Sequence, residues 1–189
     1  MKKVFIILII ILLPSLVFAA DYKTLNLGDS TEATTQKLLT LIKDKEITFQ
    51  DHSFFTKVLN HDVEIYPSLF NEKLYSLEFY FPKFDITHVN SDIRFMIENE
   101  IKPMFRNIYG KPTQEYRYPS IIDISSGYIN SCCKWVLKNK TILVGITEDD
   151  NQGEGDPIYG AEIMIYDNML AKAKAASKLQ KEMEAGKDF

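Results

Sequence analysis

Between residues 91 and 109, Ile93, Met96, Ile97, Ile101, Met104, Phe105 and Ile108 recur at steps of three and four. That spacing lines them along one stripe of a helix, and a stripe this wide must be buried against another element. Before and after it the period changes to two. Tyr75, Leu77, Phe79 and Phe81 alternate with Ser76, Glu78 and Tyr80, the pattern of an antiparallel strand with one face in a core. A long amphipathic helix flanked by one-sided strands restricts the chain to an α+β fold: helices packed on one face of an antiparallel sheet, in two layers.

The remaining elements fit this frame. Asp29 reads as the cap of a first helix, with Glu32 three residues on and Leu38, Leu39, Leu41 and Ile42 as its apolar side up to Asp44. Ile47 to Phe49, Val63 to Tyr66 and Leu74 to Phe81 read as strands, whereas 51–60 suits a helical turn and an irregular strand equally. Asn90 or Ser91 can cap the long helix, Gly110 and Pro112 end it, and Pro103 predicts a kink. Cys133, Trp135 and Leu137 alternate with Cys132, Lys134 and Lys138, Asn139-Lys140 turns the chain, and Ile142, Val144 and Ile146 return. Tyr159, Ala161, Ile163 and Ile165 form a last strand. Residues 168–189 read as a helical tail with a weak apolar stripe of Met169, Ala173, Ala176 and Met183. Helix-then-strands thus occurs twice, around 29–81 and 90–166, without convincing identity between the two stretches.

Residues 1–19 read as an export signal. Lys2 and Lys3 precede an apolar run from Phe5 to Phe18, and Val17-Phe18-Ala19 suits cleavage near Ala19. The run is shorter than a spanning helix needs, so the expected product is free of a membrane anchor, periplasmic or secreted, with one domain over 20–167. Without the leader there are 20 basic and 26 acidic residues, a net charge of −6. Such a chain is a poor binder of nucleic acid, which demands concentrated Lys and Arg. Cys132 and Cys133 are its only cysteines and are adjacent, so no disulfide framework can span the fold. Stability must come from the apolar core.

Several short words recur in one layout. Leu27-Gly28-Asp29-Ser30 precedes a short helix, and Leu74-Tyr75-Ser76-Leu77-Glu78-Phe79 follows it. A helix then ends at Tyr109-Gly110-Lys111-Pro112, before the paired strand that carries Trp135. In broad outline this resembles small exported bacterial α+β envelope proteins of the outer-membrane-assembly lipoprotein and β-lactamase-inhibitor-like types. The resemblance implies a binding or scaffolding module. A lipidation cysteine, which the lipoprotein members carry, is missing at the cleavage point.

No catalytic constellation stands out. There is no Gly-x-Ser-x-Gly word, and His52, His61 and His88 lack the short spacings of a zinc site. No cofactor is implied. Three candidate sites remain. Tyr116, Arg117 and Tyr118 concentrate residue types common at binding hot spots, and so mark a candidate surface for a protein or envelope partner. Cys132 and Cys133 are candidate redox or nucleophilic thiols. Alternation points Cys132 outward, where it could link two chains into a disulfide dimer. Within the acidic loop 148–156, Asp149, Asn151 and Asp156 offer hard oxygen ligands for calcium. The expected function is an exported, non-enzymatic binding or envelope-assembly protein. The alternatives are a thiol-dependent enzyme or redox protein and a calcium-binding module.

Overall fold

The computed structural model describes residues 21–149 and 156–185. The expected signal segment and most of the acidic loop lie outside this range. Helix α1 (Thr31–Lys43) leads into β1 (Thr48–Gln50), β2 (Ser53–Val58), β3 (His61–Phe70) and β4 (Lys73–Phe84). A long helical stretch, α2 (89–109), precedes β5 (Gln114–Glu115), β6 (Asn130–Val136), β7 (Lys140–Asp149), β8 (Ile158–Asp167) and α3 (Asn168–Ala185). All eight strands form one antiparallel sheet in the order β1-β2-β3-β4-β8-β7-β6-β5. The fold class read from the pattern is therefore the one observed. Each half is a helix followed by four strands, and the last strands of the two halves, β4 and β8, pair at the centre.

One core lies between the sheet and the helices. Leu38 and Leu41 of α1 and Ile93, Ile97, Ile101 and Phe105 of α2 join Val63, Ile65, Leu77, Phe79, Phe81, Trp135, Ile142, Val144, Ile163 and Ile165 of the sheet. The α1 cap is Ser30, whose hydroxyl accepts from the Ala33 N–H at 3.2 Å. Asp29, the expected cap, instead accepts from the Asn26 N–H and pairs with Lys37 at 2.7 Å, tying the entry loop to the helix. Along α2, Val89–Ile93 and Ile97–Ile101 are π turns, the second directly before Pro103. The Lys102 N–H bonds back to Ile97, and this widening makes room for a ring that lacks a donor and would crowd the preceding turn. The long apolar stripe is buried from Ile93 to Ile101 and at Phe105, while Met104 is half-buried and Ile108 at its end is exposed.

The ambiguous 51–60 segment is a strand entered and left through tight hairpins. Asp51-His52, Leu59-Asn60 and Asn71-Glu72 all adopt left-handed backbone angles, the geometry of two-residue turns matched to strand twist. None of the three contains glycine, which hid two of them from the sequence reading. Helix α3 continues from β8. The Asp167 carboxylate caps it by accepting from the Met169 and Leu170 N–H groups, and Met169, Leu179 and Met183 face solvent. Among the described residues, no helix is long and apolar enough to cross a membrane.

One irregularity shapes the other side of the sheet. Asn130 and Ser131 pair with Ile146 and Gly145, but Cys133 pairs with Val144, so Cys132 is an extra residue in β6. A bulge of this kind breaks the alternation and bends the strand. Gly145 is what admits it. A Cβ there would stand 2.3 Å from the Asn130 carbonyl oxygen and 2.9 Å from the Ser131 Cα.

Candidate functional site

The residues that alternate with the core on β3, β4 and β8 lie on the sheet face opposite α1 and α2, and strand register arranges them in rows. Glu64 pairs with Tyr80, Tyr80 with Glu162, and Glu162 with Gly145. In the next row, Tyr66 pairs with Glu78, Glu78 with Met164, and Met164 with Leu143. Above these rows is a cavity of about 490 Å³. Its far wall is Gly127, Tyr128 and Ile129, from the loop that precedes β6.

Asn130 holds that wall in place. Its side-chain amide N–H groups donate to the carbonyls of Ser125, Tyr128 and Ile146, while its amide oxygen accepts from the Ser125 N–H. The loop closes onto β7 through the Gly127 N–H, which donates to the Glu148 carbonyl, with Gly127 in a left-handed conformation. Because Gly145 has no side chain, the start of β6 can come close enough to carry this loop over the sheet.

The hydroxyl protons around the cavity are directed at carboxylates. Tyr66 donates to Glu64, while Ser76 at 2.9 Å and Tyr80 at 3.1 Å donate to Glu78. The Tyr66 and Tyr80 rings meet edge to face at 5.3 Å. Lys83, the single cation lining the cavity among the described residues, is paired with Asp149. Burial raises the hydroxyl pKa of Tyr80, and the negative charges of Glu162 and Glu78 reinforce the shift. Both phenols stay protonated and donating.

Glu162 is the unusual member. It is 2% exposed, it lines the cavity, and the hydrogen-bonding group beside it is the neutral Thr147 hydroxyl. Burial first, then the charge of Glu78, pushes its carboxyl pKa up to about 7, against a partial offset from Thr147. An acid whose folded pKa is raised destabilises the fold once ionised. Between its ordinary value near 4.5 and about 7, the folded state keeps a proton that the unfolded chain has released, so stability falls as pH rises through that window. Glu162→Gln should therefore be more stable than the parent by about 2 kcal/mol at pH 8, after a discount for water in the cavity, and show little advantage at pH 4. Urea unfolding at the two pH values measures this, and an equal effect at both would refute the assignment.

The candidate residues read from the sequence do not converge on this cavity. Tyr116 is exposed and donates to Gln114, and Arg117 is exposed beside it. Tyr118 turns inward, donates to Glu98 at 2.7 Å and carries the Arg94 guanidinium over its ring. Glu98 also takes a two-pronged contact from buried Lys102. Although burial opposes ionisation, Lys102 and Tyr118 together hold the Glu98 carboxyl below its ordinary range. This is an internal tie between α2 and the segment after β5.

The cysteines require a correction. The expected outward Cys132 is 1% exposed, and Cys133 is fully buried, because the bulge turns both inward. Both are free thiols. Burial pushes each up to about 12; Cys133 adds to the shift on Cys132, while Lys102 opposes it on both. Thiols so protonated are weak nucleophiles. An accessible Cys132 was the motive for a disulfide dimer, and that motive is gone.

Of the calcium candidates, Asp149 is engaged by Lys83, Asp156 lies just before β8, and Asn151 falls outside the described residues. Among the described residues, no three His, Cys, Asp or Glu side chains converge to hold a metal ion. His61 lies 2.7 Å from Glu100, and His88 lies against Asp92 and Asp85, so two of the histidines are engaged by nearby carboxylates.

Sequence reading missed Glu64, Glu78, Glu162, Tyr80 and Asn130. The only sequence signal was their place on the polar side of alternating strands. Fold and site together define an α+β protein with a walled, acidic cavity on the open face of its sheet. No family model, no curated protein and no solved structure matches the chain.

Proposed function

We propose that this is an exported, non-enzymatic binding protein, and that the cavity on the sheet face opposite α1 and α2 is where its ligand sits. The observation that carries this reading is the walled cavity itself. A packed single-core fold has no structural need to hold a loop over its polar face. Here Asn130, Gly127 and Gly145 all serve that purpose. Its volume of about 490 Å³ falls in the range of small-molecule sites. A binding role is favoured over chemistry because the buried thiols are protonated and, among the described residues, the cavity wall carries no serine or cysteine beside a histidine. Export rests on the leader-like segment at 1–19.

Methionine methyl resonances provide the test. Met164 lines the cavity, whereas Met169 and Met183 are exposed on α3 and Met96 is buried under the helices. Adding the low-molecular-weight fraction of a cell-envelope extract should move the Met164 signal and leave the other three in place. A Met164 signal indifferent to that fraction would count against the cavity as a binding site.

A further inference from the structure

The chemistry of the wall specifies its ligand further, on the assumption that the cavity is the binding site. We propose that it takes a small organic ammonium ion, a diamine or polyamine, with its charged nitrogen over Glu162 and Glu78.

Three observations support this. The first is charge. Glu64, Glu78, Glu148, Asp149 and Glu162 line the cavity against Lys83, the single cation among the described lining residues, which is already paired with Asp149. The second is Glu162 itself. The residue is 2% exposed and lines the cavity, with a neutral hydroxyl beside it and no cation paired to it among the described residues. Left so, it carries the cost of a buried charge, which a bound cation would offset. The third is the direction of the hydrogen bonds. Tyr66, Ser76, Tyr80 and Thr147 already donate to wall carboxylates, so the wall offers a ligand mainly acceptors. An ammonium group supplies three donors and no acceptor.

These features exclude the nearer alternatives. An anion meets net negative charge. A neutral sugar needs donors as well as acceptors from its site, and the Tyr66 and Tyr80 hydroxyls of the wall are already directed at carboxylates, which leaves Tyr128 at the rim as the main hydroxyl donor. A divalent metal needs several oxygens converging at short range, and no three acidic side chains do so among the described residues. Carboxylates spread along two rows of a sheet suit a cation with more than one charge. The Tyr66 and Tyr80 rings stand beside them, and ring faces attract ammonium groups.

Binding should depend on pH. The groups facing Glu162 are Glu64 and Tyr66 of β3, Glu78, Tyr80 and Lys83 of β4, and Glu148 and Asp149 of β7, with the Tyr128 hydroxyl at the loop. Burial, reinforced by the charge of Glu78, pushes the Glu162 carboxyl up to about 7. Acidification from pH 8 to pH 5.5 protonates it and removes a charge the cation needs.

Titration of the purified protein with spermidine, followed by calorimetry and by the Met164 methyl signal, tests the proposal. A trilysine peptide is run in parallel, with glutarate and fully acetylated spermidine as anionic and neutral comparators. Saturable spermidine binding should move Met164, weaken at least tenfold in Glu162→Gln and in Glu78→Gln, and weaken several-fold at pH 5.5. Glu184→Gln, on the exposed tail helix, should bind as the parent does. Tighter binding of trilysine, with the same dependence on Glu162, keeps ammonium recognition and assigns its source to a lysine side chain. The proposal fails if neither amine moves Met164 at millimolar concentration, if Glu162→Gln and Glu78→Gln bind as the parent does, or if acetylated spermidine binds equally well. Dispersed Met96 signals in each variant establish that it is folded. Should the envelope fraction move Met164 while the amines do not, the cavity remains a binding site and only the ammonium assignment falls.

Discussion

Trp135→Ala should lower the free energy of unfolding by about 3–5 kcal/mol, the largest loss expected from a single side chain in this fold. Trp135 is 1% exposed in β6 and packs against Phe105 of α2, with ring centroids 5.4 Å apart. Its indole N–H donates to the Gly110 carbonyl at 3.0 Å, where α2 ends. Truncation therefore opens a cavity between the two layers and leaves a carbonyl without its donor. Trp135→Phe is the smaller truncation, since it keeps an aromatic ring but loses the hydrogen bond and part of the indole volume. It should cost about 1–3 kcal/mol. The chain has one tryptophan, so the variants are compared by circular dichroism in urea. A loss below about 1 kcal/mol for Trp135→Ala would mean that β6 and α2 do not pack as described.

Gly145→Ala should cost about 3 kcal/mol, at the upper end for one added methyl, because nothing soft lies in its path. The obstructing atoms are the Asn130 carbonyl and the Ser131 Cα, all of them backbone. The start of β6 must move off β7, which disturbs the bulge and the loop that Asn130 anchors. Two consequences are measurable together. The midpoint of unfolding should drop, and Cys132, now shielded by the bulge, should react faster with a thiol reagent under native conditions. A stable variant with unreactive sulfurs would show that the strand accommodates the methyl, and that the close approach is not essential to the cavity wall.

How far sequence reading reached can be judged from particular elements. The α2 helix was evident from seven apolar residues at three- and four-residue steps, and the strands around Phe79, Trp135, Val144 and Ile163 from alternation. These signals are local, because a helix face or strand face is set by spacing along the chain. The hairpins at 51–52 and 59–60 were harder to see, because Asp-His and Leu-Asn adopt left-handed angles without the glycine that usually announces such turns. Cys132 was misplaced because alternation assumes an unbroken ladder, and the bulge breaks it.

Glu162 shows the limit most clearly. In sequence it is one more polar residue between Ala161 and Ile163, on the outward side of a strand. Its neighbours Tyr80 and Gly145 come from other strands, and the loop that shares its cavity is held by Asn130 far away in the chain. The same holds for the row from Glu64 through Tyr80 to Glu162, which exists only because β3, β4 and β8 pair in one register.

What the amino-acid order determined alone was periodicity: which stretches are helix or strand, which side of each is apolar, and hence the two-layer α+β architecture. What only the tertiary structure decided was coincidence in space: the central β4–β8 pairing, the buried thiols, and the convergence of carboxylates under a loop. Periodicity is a property of neighbours along the chain, whereas register, bulges and closure depend on contacts between residues far apart in it.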